Sequence, residues 1–432
     1  MNSNAASIEL FESWVRKGLG RAVAFLTRNK GIPYRDAILH ACLHNVAYDA
    51  QCEEGRGEYL WMLIEHSGDR KLFRDALLDH LTRLPHDTEE YDWPQIFHVA
   101  KKFASEGDSA MRRAMYSAFD LLGFGKAGAS SATSLINLDA LEGLVFAVHR
   151  FDSSSPEDDW WMIGSLITDL EDRMGKQEAV QLIASAAATD TAIGNVISAY
   201  RQYEEEGRQA NERVDSERVD LPALKNMPGD RSWRWRFRRW ALKATHEELS
   251  AATAYFLLDV NPEKVWGCLR AFAHRPFPGD VCRLLELSDS DHERVRRAAV
   301  VTLSRIKDLR VRRRALILLQ SAERFTDGID LLESNYEAGD FRIFEDLLTR
   351  SLTPAELHGI GLSIRHIVDK KVWPELEKVL LSLYETGPCS LCRTEFVEAL
   401  IELERLPDFI RDEGQFDAEP DTRRAVLADV HS

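Results

Sequence analysis

The densest grouping of residues able to do chemistry is Arg231-Ser232-Trp233-Arg234-Trp235-Arg236-Phe237-Arg238-Arg239-Trp240. Guanidinium groups bind phosphates and carboxylates, and exposed aromatic rings stack on bases or other planar groups. Further along stand Arg294, Arg297, Arg305, Lys307, Arg310, Arg313 and Arg314. With Arg231, Arg234, Arg236, Arg238 and Arg239 they form the candidate partner- or anion-binding set. The competing reading places the aromatics in a core with the arginine stems lying over them and the charged heads in water. From Arg231 to Ala315 there are 19 Lys and Arg against 10 Asp and Glu, which leaves 36 of the 55 basic and 61 of the 71 acidic residues elsewhere. A formal charge of −16 argues against a chain coated in nucleic acid, so the basic stretch reads as a local surface of an acidic protein.

Four smaller groupings weigh less. Cys389-Ser390-Leu391-Cys392 is a lone CxxC. Zinc there would need two further ligands, and the nearest histidines, His358 and His366, fall on a different predicted helix. A redox role would want a thioredoxin-like βαβ context, although a helix N-terminus alone acidifies a thiol. The remaining cysteines, Cys42, Cys52, Cys268 and Cys282, are scattered, and reduced core thiols are the favoured reading. Gly123 to Gly128 matches GxGxxG, but an amphipathic helix precedes it where a dinucleotide site needs a strand. His86 with Asp87, Glu89, Glu90 and Asp92 lies between Pro85 and Pro94, which reads as a solvated turn rather than a metal site. Asp158-Asp159-Trp160-Trp161 sets carboxylates beside tryptophans, with Glu157, Asp169, Glu171 and Asp172 nearby; a helix start with core tryptophans is the favoured reading. No HExxH, G-x-S-x-G or Cys-His signature is present, so no catalytic, cofactor or metal set is expected.

These residues need elements to hold them. The chain is 44% apolar and 29% charged with only 24 Gly and 14 Pro, and no long run alternates with period two, so the expectation is all-α with very little sheet. Wound as a helix, Trp233, Phe237, Trp240 and Ala244 share one face while Trp235 and Leu242 lie opposite, which predicts a helix gripped between two neighbours. Asp291, Val295, Arg296, Ala299 and Leu303 recur sixteen residues later as Val311, Arg312, Ala315 and Leu319, with Asp308 one place out of step. Each copy carries apolar residues at i, i+4 and i+8, with a small alanine where two backbones can approach. Asn261-Pro262 and Thr353-Pro354-Ala355-Glu356 mark helix starts, as does Ser155-Pro156. The expected organisation is N-terminal helical repeats over 1–122, a Gly/Ala/Ser-rich loop at 123–135 and middle helices over 136–206. A charged linker or insertion at 207–230, a basic repeat region over 231–412 and a tail at 413–432 follow.

The Asp, Val-Arg, Ala, Leu spacing resembles the helices of HEAT and armadillo-type repeats, most clearly over 284–322. The resemblance implies an α-solenoid of antiparallel helix pairs whose concave face binds another macromolecule. It implies a non-enzymatic scaffold for a partner protein, with the arginine-rich stretch docking an acidic surface. Nucleic-acid binding through the same face is the alternative. The Asp-Trp pairing at 158–161 also resembles, in those residue types alone, DNA glycosylases built from HEAT-like repeats. With no leader-like N-terminus and no run of eighteen apolar residues, the expected location is cytoplasmic, with no membrane contact.

Overall fold

In the computed structural model the described residues are 6–29, 32–53, 56–151, 159–216, 220–273, 275–371 and 373–430. They form 26 α-helices joined by turns and short 3-10 segments, with no strand among them, so the all-α expectation holds. The chain divides into two compact units, one of residues 1–210, 388–401 and 406–432, the other of 211–387 and 402–405.

The first unit contains α1 (Ile8–Lys17), α2 (Arg21–Arg28), α3 (Arg35–Leu43), α4 (Arg56–Ser67), α5 (Arg70–Arg83) and α6 (Asp92–Ser105). It continues with α7 (Ser109–Ala127), α8 (Ala129–Asp139), α9 (Leu141–Val148), α10 (Trp160–Met174), α11 (Lys176–Thr189) and most of α12 (Thr191–Ser216). Helices pack on their chain neighbours and on the helix after next: α2, α4, α6, α8 and α10 form one row, and α1, α3, α5 and α7 another. On α6, Trp93, Ile96, Phe97, Ala100, Phe103 and Ala104 recur at intervals of three and four residues, and all are buried. Gly18 turns left-handed at φ 70°, which ends α1 and separates it from α2.

The expected loop at 123–135 is helical. α7 runs to Ala127 with a break at Gly123 (φ 71°), and α8 starts at Ala129. Alanine is the best helix former, and Ala127, Ser131, Ala132, Ser134 and Leu135 are all buried, so packing overrides the loop-like composition. The GxGxxG match therefore lies on helix with no strand before it. The expected linker at 207–230 is also largely helical, since α12 continues to Ser216 and α13 occupies Leu221–Asn226; residues 217–219 lie outside the described residues.

The segment expected as a tail is helical and packed into the first unit. After α24 (Ser390–Glu402), α25 (Asp408–Gly414) and α26 (Pro420–Val430) lie in the first unit, with Asp417, Ala418, Thr422 and Val426 buried. Its polar composition misleads because the polar groups are paired internally. Arg21 grips Glu413 through two hydrogen bonds of 2.8 Å, and the Ala418 amide donates to the Gly18 carbonyl at 2.9 Å. The α1–α2 turn meets this segment backbone to backbone. A Cβ on Gly20 would stand 1.9 Å from the Glu413 carbonyl oxygen, which cannot move without shifting the main chain. Gly20→Ala is therefore expected to destabilise the first unit by about 1–3 kcal/mol or more, read as a lowered urea midpoint. A midpoint equal to that of the parent chain would show that the approach is not this close.

The second unit contains α13, α14 (Arg231–Lys243), α15 (His246–Phe256), α16 (Pro262–Arg270), α17 (Val281–Leu287) and α18 (Glu293–Leu303). After these come α19 (Leu309–Leu318), α20 (Phe325–Leu332), α21 (Phe341–Leu348), α22 (Pro354–Lys370) and α23 (Glu377–Thr386). Here α14, α16, α18, α20 and α22 pack in succession, while α17 packs on α19 and α21 on α23. Asn261 caps α16 with Pro262 in its first turn, and Thr353 with Glu356 completes the capping box of α22. The tandem residues Val295, Ala299, Leu303, Val311 and Ala315 are buried. Ala315 is where α19 meets α20 closely: a Cβ on Gly328 would come within 2.9 Å of the Ala315 carbonyl.

Trp233, Phe237, Trp240 and Ala244 are buried as one face, with Trp233 stacked on Phe237 at 4.9 Å and its indole N–H donating to the Leu224 carbonyl at 2.9 Å. The second apolar seam is not buried. Trp235 and Leu242 are about half exposed (47% and 50%), so α14 presses on one side only.

Candidate functional site

The arginines of the second unit divide by what they touch, and one share has a purely local task. The last carbonyls of a helix have no partner within it and lie at the negative end of its dipole. Arg275 donates to the carbonyls of Ala241, Leu242 and Ala244 at the end of α14, and Arg283 to Leu257 after α15. Arg324 serves Ser288 after α17, and Arg305 serves Ala273 after α16. Four arginines thus serve helix ends, and two of them, Arg283 and Arg324, also hold acids.

A second share is matched by acids. Arg310 pairs with Asp280 at 3.0 Å and Asp308 at 2.8 Å, Arg314 pairs with Asp289, and Arg312 holds Asp340. Arg310, Arg313 and Arg314 line a shallow depression between α17 and α19, away from α14. Among the described residues no ion pair is formed by Arg231, Arg236, Arg238, Lys307 or Arg313, and Arg239 lies over the exposed Trp235 ring at 4.8 Å. The twelve candidates do not converge on one patch.

Two of them, Arg234 and Arg294, meet at a tryptophan that the sequence reading did not single out, and a further arginine, Arg270, joins them there. Glu263, Trp266 and Arg270 occupy i, i+3 and i+7 on α16, so they share one face. Arg234 from α14, Arg270 from α16 itself and Arg294 from α18 each place a guanidinium carbon 5.2 Å from the Trp266 ring centroid. Glu263 steadies two of the three, at 2.5 Å from Arg234 and 3.5 Å from Arg294. Arg270 is exposed and has no acidic partner among the described residues. Beside the ring opens a groove of about 480 Å³, lined by apolar Leu269, Ala298 and Val301, by Arg270, Arg294 and Arg297, and by one acid, Glu293. An apolar floor beside an indole ring, with guanidiniums along its rim, has the chemistry to hold a carboxylate or phosphate carried on an apolar stem. The spacing Glu263, Trp266, Arg270 was the available signal.

Arg297 turns its other side to α20, donating to Asp327 at 2.7 Å and lying 3.4 Å from Asp330. Burial pushes the Asp330 carboxyl up to about 6, against the pull of Arg297 and of the hydroxyl of Ser363, which donates to it at 2.9 Å. A carboxyl whose folded value lies above its unfolded one near 4 gives stability that is complete below that unfolded value and is lost as pH rises through about 6. Asp330→Asn removes the titration. The stability of the parent chain relative to D330N should be on the order of 1 kcal/mol more favourable at pH 5 than at pH 7, by urea unfolding at the two pH values. An unchanged difference would place the charge of Asp330 in water.

The remaining groupings separate. Trp160 is buried against Phe151 at 5.1 Å and Trp161 is exposed, while Glu157, Asp158 and the Ser155-Pro156 start lie outside the described residues. Asp92 of the acidic turn is buried and accepts from the amides of Asn45 and Glu89, a structural use. No helix among the described residues is long and apolar enough to cross a membrane. Compared with known proteins, the chain finds no matching family model, no matching curated protein and no matching solved structure.

Proposed function

We propose that the second unit is a HEAT-like solenoid scaffold that docks an acidic segment of a partner protein in the Trp266 groove. The solenoid reading is supported by helices that pack on the helix after next, α14 through α22, around the tandem Val, Ala and Leu positions. The docking reading is carried by one observation: Trp266 flanked by three guanidiniums, of which Arg270 is left without an acid among the described residues. A short carboxylate-rich peptide with an apolar or aromatic residue fits both the floor and the rim. An extended nucleic-acid backbone fits less well, because Arg297, Arg310 and Arg314, which would track it, are already held by Asp327, Asp280 and Asp289. The test is fluorescence anisotropy with a labelled Glu/Asp-rich peptide containing one Phe, against a single-stranded oligonucleotide of equal charge. Saturable peptide binding that the oligonucleotide does not displace supports the docking role. Tighter binding of the oligonucleotide replaces it with the nucleic-acid reading.

A further inference from the structure

The CxxC of the first unit differs from the scattered cysteines in being a pair. The Cys389 and Cys392 sulfurs lie within 4.8 Å of each other, one just before α24 and the other in its first turn. That turn is pinned: the Ser390 amide and hydroxyl both donate to Glu53, the amide at 3.0 Å, and Glu53 is in turn held by Arg56 at 2.9 Å. We propose that Cys389 and Cys392 are a peroxide-responsive dithiol that closes reversibly to a disulfide.

The other four cysteines set the contrast. Cys42 and Cys268 are single and fully enclosed, and burial pushes the Cys42 thiol up to about 12 and that of Cys268 also upward. Cys52 is exposed, yet its hydrogen bond to Asp49 holds its thiol up, and Cys282 is exposed with its sulfur 3.3 Å from the Arg310 guanidinium. Cys389 is drawn the other way, below the usual thiol range, first by the hydrogen bond from Cys392 and then by the amides of Cys392 and Leu391 at the helix start, against burial and the charge of Glu53. Tyr48 and Asp49 with Cys52 are the further titratable groups on this side of the pair. Each sulfur belongs to a residue only 5% exposed, which admits a small oxidant and excludes a bulky protein disulfide.

The chemistry closes without another reagent. The Cys389 thiolate attacks one oxygen of hydrogen peroxide, an S–O bond forms, the O–O bond breaks, and the departing hydroxide takes a proton to become water. Cys392, as its thiolate, then attacks the Cys389 sulfur; an S–S bond forms and the S–O bond breaks, releasing a second water once protonated. Two thiols are oxidised by two electrons and one peroxide is reduced to two waters. An added dithiol returns the pair by exchange.

The full chain, reduced and then treated with one equivalent of hydrogen peroxide at pH 7, is alkylated and digested with trypsin. The peptide Val379–Arg393 carries both sulfurs. It is expected to lose two hydrogens and to escape alkylation, roughly tenfold faster than exposed Cys52 is oxidised, and dithiothreitol should restore it. In Cys392→Ser the sulfenic acid on Cys389 should persist and react with dimedone. Cys52 or Cys282 oxidised ahead of this peptide, or a link between Cys52 and Cys389 in place of the internal one, would overturn the proposal. The wild-type peptide decides between these outcomes whether or not the variant folds.

Discussion

Arg393→Met is expected to be among the most damaging single changes in the chain, costing about 3–5 kcal/mol of first-unit stability in urea unfolding at pH 7. Arg393 is almost wholly buried (1% exposed), and so is its acid, Asp417 (0%). The guanidinium stands 3.3 Å from the Asp417 carboxylate and donates to the Lys17 carbonyl at the end of α1, at 3.0 Å through one nitrogen and again through the other. One side chain on α24 therefore satisfies the open carbonyl end of α1 and the carboxylate between α25 and α26. Methionine fills much of the volume but takes from buried Asp417 its chief counterion, leaving only the weaker pull of Arg56, and removes two donors from the Lys17 carbonyl.

The signature of that mechanism is its pH dependence. Burial pushes the Asp417 carboxyl up to about 6, and Arg393 is the chief force holding it down. Without Arg393 it rises further, so in acid the carboxyl of the variant is neutral and the penalty for an isolated charge disappears. The loss caused by R393M should thus be clearly smaller at pH 5 than at pH 7, and R393M/D417N should recover part of it at pH 7. A loss that is equal at both pH values and unaffected by D417N would mean that packing alone, not the charge, is at stake.

How far the residues announced this arrangement depends on the range of the interaction involved. Face-sharing along one helix was legible: Trp233, Phe237, Trp240 and Ala244 went to the interior as their spacing required, and Val295, Ala299, Val311 and Ala315 did the same. The exposure of Trp235 was not legible, because it depends on whether a second neighbour arrives, which α14 does not encode. Composition misled over 123–135, where serine and alanine look like a loop until Ser131 and Ser134 are found inside. Charge misled most. Arg297 meets Asp327, Arg312 meets Asp340 and Arg314 meets Asp289, partners 25 to 30 residues apart in sequence that only stacking brings together. A net count of basic residues over a window registers none of these pairs. Trp266 escaped for the opposite reason: its three arginines come from α14, α16 and α18, so the site exists in no single segment.

That assembly from three helices makes the second large effect testable. Trp266→Ala removes the aromatic wall against which an apolar stem would rest, and a tryptophan at the centre of a binding patch is worth about 2 kcal/mol or more, roughly thirtyfold in affinity for the acidic peptide. Arg270→Glu attacks the rim: it replaces the guanidinium that lacks an acid by a charge that repels the ligand, and should weaken the peptide at least tenfold. Because Arg270 is exposed and bonded to no acid among the described residues, R270E should leave the unfolding midpoint nearly unchanged, which separates lost recognition from lost folding. Arg313→Glu makes the same charge change on α19, beyond the groove, and should cost far less. Equal losses for R270E and R313E would show a diffuse response to net charge and no defined site. Raising the salt should weaken the peptide in the parent chain more than in R270E, since the variant has already lost the attraction that salt screens.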